Sequence, residues 1–148
     1  MAPSIKKSHS VSELVYHLVC PIKYRRKVFT KENEKTLKDI CLELEQRYEL
    51  HFIEIGIDTD HVHFLVQSVP NISPSALANA IKGNISRQMF LQHPEVKTFL
   101  WGGNFWTGAY YVNTVGNANM KTIKNYVKHQ GMPEYKQLHS VQPTLFSR

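Results

Sequence analysis

A short segment in the middle of the chain alternates histidine with apolar residues. It reads DTDHVHFLVQS. On an extended strand, successive side chains point to opposite faces, so Val62, Phe64 and Val66 share one face. His61 and His63 share the other face, where two imidazoles stand side by side away from the apolar core. This pattern predicts a strand of a sheet, and its histidines are either polar surface or a pair of metal ligands.

The rest of the chain shows the patterns of further strands. Segments rich in β-branched and aromatic residues, or in alternating apolar residues, favour pleated structure. The predicted strands cover residues 12–20, 51–58, 61–69 and 109–115.

Three segments repeat apolar residues at helical spacing. The first predicted helix is capped by Thr30 and runs to about Glu49. The second has Ser73 as its cap and Pro74 at the first helical position. The third is short and is closed by Gly131, a residue suited to the end of a helix.

The order of these elements is strand, helix, strand, strand, helix, strand, helix. It predicts an α+β fold of the ferredoxin-like or RRM-like split β-α-β type, with an antiparallel sheet and helices on one face. The other face would be free and would carry the histidines. We expect residues 1–148 to form a single domain, with a polar leader over 1–10 and a weakly patterned tail over 132–148.

Charge and composition point to the class of partner. The 148 residues include 18 Lys and Arg against 12 Asp and Glu, a formal charge of +6, which favours a polyanion such as nucleic acid. Cys20 and Cys41 lie in apolar patterns and form no CxxC pair, so we expect reduced core thiols. No signal-like or membrane-length apolar run is present, which predicts a soluble, cytoplasmic protein with no membrane partner. The candidate DNA-binding residues are Lys23, Arg25, Arg26 and Arg87, with Lys27 and Lys82 nearby in the sequence.

The last predicted helix carries two residues that suggest chemistry. Gln130 follows Tyr126 by four residues, so both project from one helix face, about 6 Å apart along the axis. Met120, Ile123 and Val127 already form a separate apolar stripe. Tyr126 either packs beside a solvated Gln130 or acts together with it as part of a site.

Three segments in this order carry a family resemblance: DHVHFLV, LWGGNFWTGAYYVNTVG and IKNYVKHQG. Two others, PIKYRRKVF and IKGNISRQMF, extend it. From about Ser12 to Gly131 the chain resembles the single-tyrosine transposases of the His-hydrophobic-His (HUH) nuclease superfamily, the IS200/IS605-like enzymes. These mobilise small insertion sequences as single-stranded DNA.

The resemblance implies a mechanism and a set of site residues. His61, His63 and Gln130 would hold a divalent cation, Mg or Mn. Tyr126 would attack the scissile phosphate and form a 5′-phosphotyrosine. The substrate would be single-stranded DNA bearing imperfect hairpins, and the enzyme a homodimer in which the tyrosine helix of one subunit can complete the histidine pair of the other.

Two other functions are compatible with the same fold. One is a non-catalytic or domesticated relative that binds nucleic acid at chromosomal hairpin repeats. The other is a metal-dependent hydrolase of small substrates, which the sequence disfavours because no carboxylate stands at an obvious spacing to act as a base beside the histidines.

Overall fold

A computed structural model describes residues 5–7, 10–12 and 14–131 of the chain. The predicted tail, 132–148, lies outside the described residues. Two short strands, β1 (Ile5–Lys7) and β2 (Ser10–Ser12), pair antiparallel close to the N-terminus, within and just beyond the predicted polar leader.

The main sheet has four strands, and each predicted strand is confirmed within a few residues. They are β3 (Leu14–Pro21), β4 (His51–Ile57), β5 (His61–Ser68) and β6 (Tyr111–Thr114). Their spatial order is β4-β5-β3-β6, and every neighbouring pair is antiparallel. The predicted α+β fold with an antiparallel sheet is therefore confirmed.

Two long helices cover one face of this sheet. Helix α1 (Lys31–Arg47) begins with a capping box, in which the backbone N–H of Asn33 donates to the Thr30 hydroxyl and the Asn33 amide oxygen accepts from the Thr30 N–H. Helix α2 (Pro74–Gln92) begins after Ser73, whose hydroxyl accepts from the Ala76 N–H. Apolar side chains of both helices pack on alternate residues of β3 and β5. The strand residues include Leu18, Cys20, Val62, Phe64 and Val66, and the helix residues include Leu37, Leu44, Ile81 and Ile85.

The third helix, α3 (Met120–Lys128), packs on the opposite face, which the sequence had suggested was free. Ile123 and Val127 form a second apolar cluster with Val15 and Leu65 of the sheet and with Val115. α3 packs on this face because its apolar stripe is stabilised by contact with another apolar surface, and the second face of the sheet offers one. The histidines of β5 therefore lie beneath a helix and not on an open surface.

Two smaller expectations can be compared with the structure. Cys20 and Cys41 are both buried free thiols, as predicted. Burial raises the pKa of the Cys20 thiol to about 12, which keeps it protonated and inert at neutral pH. Among the described residues, no helix has the length and apolar character needed to cross a bilayer.

Candidate active site

Two glycines, Gly56 and Gly131, allow the C-terminal end of α3 to lie directly against β4. A Cβ atom added at Gly56 would overlap the carbonyl oxygen of Val127 and stand 3.0 Å from the Cβ of Gln130. A Cβ at Gly131, which has φ +83°, would lie 2.8 Å from the carbonyl oxygen of Ile57. The helix and the strand thus touch backbone to backbone, which requires the absence of side chains at these two positions.

This contact brings α3 to the histidines. Gly56 is the cross-strand partner of His63, and directly opposite residues of an antiparallel pair face the same side of the sheet. The end of α3 above Gly56 therefore lies beside His63. The ring of Tyr126 meets the ring of His63 edge to face, with centroids 5.5 Å apart.

His61 and His63 lie next to each other on β5, as the alternation predicted. Their ring centroids are 4.9 Å apart. They differ in burial, because His63 is 2 % exposed beneath α3 while His61 is partly exposed at the start of the strand. The expectation that both point away from the core into solvent is wrong for His63, since α3 covers it.

A third histidine, His17 of β3, fixes the orientation of His63. Its Nε2 atom lies 2.9 Å from Nδ1 of His63, and the two rings stack with centroids 5.1 Å apart. Burial lowers the pKa of His17 to about 4. Burial, and then the neighbouring His17 and His61, lower the pKa of His63 well below its usual value. Both imidazoles are therefore neutral at physiological pH. The contact with His17 uses Nδ1 of His63, and Nε2 is the other ring nitrogen, the one that could coordinate a metal.

Two carboxylates flank His61. Its Nδ1 atom lies 2.8 Å from Oδ1 of Asp60, and its Nε2 atom lies 3.7 Å from Oδ2 of Asp58. Asp60 also accepts a hydrogen bond from Nε of Arg25 at 3.1 Å. Burial raises the pKa of Asp60, but the hydrogen bonds from His61 and Arg25, together with their charges, outweigh it and lower that pKa. The expectation that no carboxylate accompanies the histidines is therefore wrong.

Gln130 lies just beyond the end of α3, on the histidine side of the sheet. Its side-chain amide nitrogen donates to the carbonyl oxygen of Tyr126 at 3.1 Å, which ties it to its own helix. The structure thus brings together all four residues that the resemblance assigned to chemistry, namely His61, His63, Tyr126 and Gln130.

The site offers imidazole and amide groups that can coordinate a divalent cation. Two imidazoles and an amide are neutral ligands, and each histidine is oriented through Nδ1 by a polar neighbour, the arrangement usual for metal-bound histidine. Within residues 14–131, no group of three or more His, Cys, Asp and Glu side chains is arranged to hold a metal. A metal at this site would therefore depend on the glutamine as well as on the histidines.

The predicted DNA-binding residues are placed in two separate regions. Lys23, Arg25 and Arg26 form an exposed basic turn after β3, next to His61 through the Arg25–Asp60 pair. Arg87 lies on α2, on the opposite face of the sheet, where it donates to the amide oxygen of Asn84 at 2.8 Å. Trp106, an aromatic candidate for stacking on bases, is mostly buried in the core.

The sequence interpretation missed three residues of this site: His17, Asp58 and Asp60. The two aspartates were visible, because they flank His61 in the segment DTDH. His17 gave a weaker signal, as a histidine at an alternate position of a strand that is otherwise apolar. Its pairing with His63 joins residues 46 positions apart, which no local pattern reveals.

The antiparallel sheet carries a histidine pair, with a tyrosine on a helix docked beside it, and the comparisons with known proteins identify the chain as a transposase. The model of the family described as "Transposase IS200 like" matches residues 10–130. The chain belongs to this family of IS200-like transposases.

Individual relatives support the assignment. The chain is similar to the ISDra2 transposase TnpA of Deinococcus radiodurans, with 35 % identity over 120 residues, 81 % of this chain and 86 % of the relative. It is also similar to the transposase for insertion sequence element IS200 of Salmonella typhimurium, with 32 % identity over 83 % of this chain and 80 % of the relative.

Solved structures share the fold. A crystal structure of a transposase from Deinococcus radiodurans superposes with a TM-score of 0.68 at 32 % identity, covering 85 % of this chain and 97 % of the other. A REP-associated tyrosine transposase bound to a REP hairpin superposes with a TM-score of 0.58 at 10 % identity, covering 82 % of this chain and 68 % of the other. At 10 % identity, this second comparison shows a shared fold alone.

The different burial of the two histidines predicts different effects on stability. His63→Ala removes a buried ring and the hydrogen-bond partner of His17, so we expect the free energy of unfolding to fall by about 2 kcal/mol. His61→Ala removes a partly exposed ring, and we expect a loss of less than about 1 kcal/mol. Urea denaturation of both variants measures the difference. Equal losses would contradict the placement of His63 beneath α3.

Proposed function

We propose that this transposase cuts and rejoins single-stranded DNA at hairpin-bearing ends of an insertion sequence through a 5′-phosphotyrosine intermediate on Tyr126, with the assistance of a divalent cation. The observation that carries the proposal is the edge-to-face contact between Tyr126 and His63, whose ring centroids are 5.5 Å apart. A tyrosine hydroxyl on a ring this close to a histidine of the pair can act on a phosphate held beside it.

The residues that would hold the cation are His61, His63 and Gln130, and the ion would be Mg or Mn. The donor set fits, because His63 is neutral and oriented by His17, and His61 is oriented by Asp60. When bound, the ion would supply charge neutralisation and polarisation of the scissile phosphate. Neutral protein ligands leave the full positive charge of the ion available to that phosphate.

The chemistry of this chain centres on the Tyr126 hydroxyl. Its oxygen forms a bond to phosphorus while the bond from phosphorus to the 3′ oxygen breaks. The phenol proton passes to solvent, and the released 3′ oxygen takes a proton from solvent to become a hydroxyl. A phenol has a reference pKa of about 10, so the phenolate is a good leaving group in the reverse direction. The covalent bond to the 5′ phosphate therefore conserves the broken linkage, and a 3′-hydroxyl can reseal a strand without ATP.

The basic turn supports the proposed DNA substrate. Arg25 is paired with Asp60 beside His61, and Lys23 and Arg26 belong to the same turn, where phosphates of a strand entering the site would pass. A solved structure of the same fold is bound to a REP hairpin, which supports including hairpin recognition in the proposal. Arg87 on the opposite face is available to a longer DNA segment.

The experiment that tests this function uses the DNA ends that flank the protein's own gene. The protein is incubated with labelled single-stranded DNA from these ends, in Mg or Mn and in a chelator. We expect a protein–DNA adduct that resists denaturation and forms in the presence of the cation only. Hairpin binding without any adduct would contradict the proposal and favour the non-catalytic nucleic-acid-binding function.

We further propose that the active enzyme is a homodimer that exchanges its tyrosine helices. The segment between β6 and α3, residues 115–119, is the connection that would have to cross to the partner subunit, and an added Cβ at its Gly116 would meet no atom within 4 Å. The docking surface on β4 would accept α3 from either chain. The structure describes α3 on its own sheet, and the two arrangements predict opposite results when defective proteins are mixed.

The mixing experiment combines Tyr126→Phe protein with His63→Ala protein. With exchanged helices, each heterodimer has one site with both defects and one with neither, so a random mixture has about a quarter of its sites intact. We expect cleavage to recover to about that level, measured as adduct formation after subunit exchange has been verified with two affinity tags. No recovery would mean that Tyr126 serves the histidines of its own chain.

A further inference from the structure

A cavity of about 340 Å³ opens next to the basic turn, on the side of the sheet that carries α2. It lies between the turn, α2 and the segment before β6. Its lining includes Lys23, Lys82, Ser86, Asn104, Trp106 and Thr107. We propose that this lysine pocket binds one nucleotide of single-stranded DNA next to the strand segment in the active site. The proposal rests on the proposed function and assigns a further subsite to its substrate.

The charge of the pocket favours a phosphate. Lys82 is held in place, because its ammonium donates to the carbonyl oxygen of Thr107 at 3.0 Å and lies 5.4 Å from the ring centroid of Tyr110. Lys23 also lines the cavity, and its ammonium lies 5.3 Å from the ring centroid of Tyr24. Among residues 14–131, no carboxylate lies within 4.0 Å of either ammonium. Positive charge beside a cavity, without a neutralising acid, attracts an anion.

The remaining lining suits a nucleobase. Phe105 and Trp106, which are 1 % and 6 % exposed, form the inner wall of the pocket, and the Trp106 ring is fixed by its Nε1–H, which donates to the carbonyl oxygen of Lys82 at 2.9 Å. Asn104 and Ser86 add an amide and a hydroxyl. A volume of about 340 Å³ is within the range of small-ligand sites. Apolar walls, two ammonium groups and a few polar groups match the chemistry of one nucleotide.

The backbone at the entrance is strained. Tyr24 and Arg25 have φ values of 59° and 53°, in the left-handed region that side chains other than glycine rarely adopt. Hydrogen bonds hold this turn, from Arg25 N–H to the Ile22 carbonyl and from Nε of Arg25 to Asp60. The result is an exposed Tyr24 ring, 54 % accessible, with the Lys23 ammonium 5.3 Å from its centroid. An exposed aromatic ring beside a cation offers a platform on which a base can stack.

The pocket and the active site lie at the same end of the central strands, on opposite faces of the sheet. Pro21, the last residue of β3, pairs with His61, and Ile22 forms an isolated bridge with Trp106 in the pocket wall. Arg25 connects the turn to His61 through Asp60. A strand with its phosphate at the histidines can therefore continue past the turn to the pocket. Hairpin duplex would not enter, because a paired base is not free to leave its stack.

The test measures binding of two DNAs in chelator, where no cleavage occurs. One is a six-nucleotide oligothymidylate and the other is a blunt hairpin duplex. Lys23→Gln/Lys82→Gln removes both ammonium groups of the pocket, and Lys31→Gln/Lys35→Gln on α1 removes the same charge elsewhere. We expect the pocket variant to weaken hexamer binding about tenfold, and the matched control to weaken it less than about twofold. Duplex binding by the two variants should be equal.

A second variant guards against a folding defect. Gly83 of α2 lines the pocket, and a Cβ there meets nothing within 4 Å, so Gly83→Leu should fill the cavity without changing the charge or breaking the helix. We expect the same loss of hexamer binding. Unchanged hexamer affinity in both variants, or an equal loss for the duplex, would overturn the proposal. The proposal would also be overturned if inorganic phosphate displaced the hexamer when both are present at the same concentration, because the pocket would then select an anion and not a nucleotide. Failure of the proposed function would appear separately, as an absent covalent adduct with hexamer binding intact.

Discussion

Tyr126→Phe is expected to abolish the covalent protein–DNA adduct while leaving DNA binding nearly unchanged. The substitution removes one hydroxyl, which is the proposed nucleophile, and retains the ring that meets His63 and His17 edge to face. Loss of a nucleophile typically costs many powers of ten in rate, so we expect adduct formation to fall by at least about a thousandfold. The readout is a denaturing gel of labelled single-stranded DNA, with binding followed separately in chelator.

The matched control for this variant is Tyr48→Phe. Tyr48 ends α1 on the other side of the sheet, and its hydroxyl accepts a long hydrogen bond of 3.5 Å from Asn84. It loses the same atom without touching the histidines, so adduct formation should stay within about twofold of the wild-type level. If Tyr126→Phe formed the adduct at normal yield, the nucleophile would have to be another residue.

Gly56→Ala is expected to uncouple the tyrosine helix from the histidines. The added Cβ would overlap the carbonyl oxygen of Val127, so α3 must move away from β4. Both Tyr126 and Gln130 then leave their positions beside His63. A displacement of about 1 Å can cost about a hundredfold in rate, and we expect a loss of this size in adduct formation with DNA binding retained.

A methyl group of the same size at Gly116 serves as the control, since no atom lies within 4 Å of it and its φ of −85° is ordinary for alanine. Gly116→Ala should form adduct at close to the wild-type rate. Circular dichroism should show the sheet and the two long helices intact in both variants. Wild-type activity in Gly56→Ala would mean that the contact between α3 and β4 does not position the tyrosine.

Local sequence patterns predicted the elements of the fold because each pattern reports one element at a time. The capping signals at Thr30 and Ser73 and the alternation in β5 are contained in a few neighbouring residues. Periodicity also predicted which residues of β5 share a face. It could not tell which face of the sheet α3 would cover, because that depends on apolar residues of β3 and β5 far away in the sequence.

The site was predictable to the extent that its residues are neighbours in sequence or match the family. His61, His63, Tyr126 and Gln130 were selected in this way, and the structure places them close together. His17 was not, because its role arises from the pairing of β3 with β5. This pairing aligns Val19 with His63, and His17, two residues before Val19, lies on the same face of the sheet. Gly56 was also inconspicuous, since a glycine in a strand gains its meaning only when a helix lies upon it.

The central claim is that Tyr126 becomes covalently linked to the 5′ phosphate of the cleaved strand. The most direct measurement is mass spectrometry of the adduct after nuclease and trypsin digestion. Lys124 and Lys128 bracket the tryptic peptide Asn-Tyr-Val-Lys, which contains Tyr126 as its sole tyrosine. We predict that this peptide carries the mass of a 5′-linked nucleotide in the wild-type adduct. A nucleotide found on any other peptide, or a cleaved strand with no peptide attached, would contradict the account.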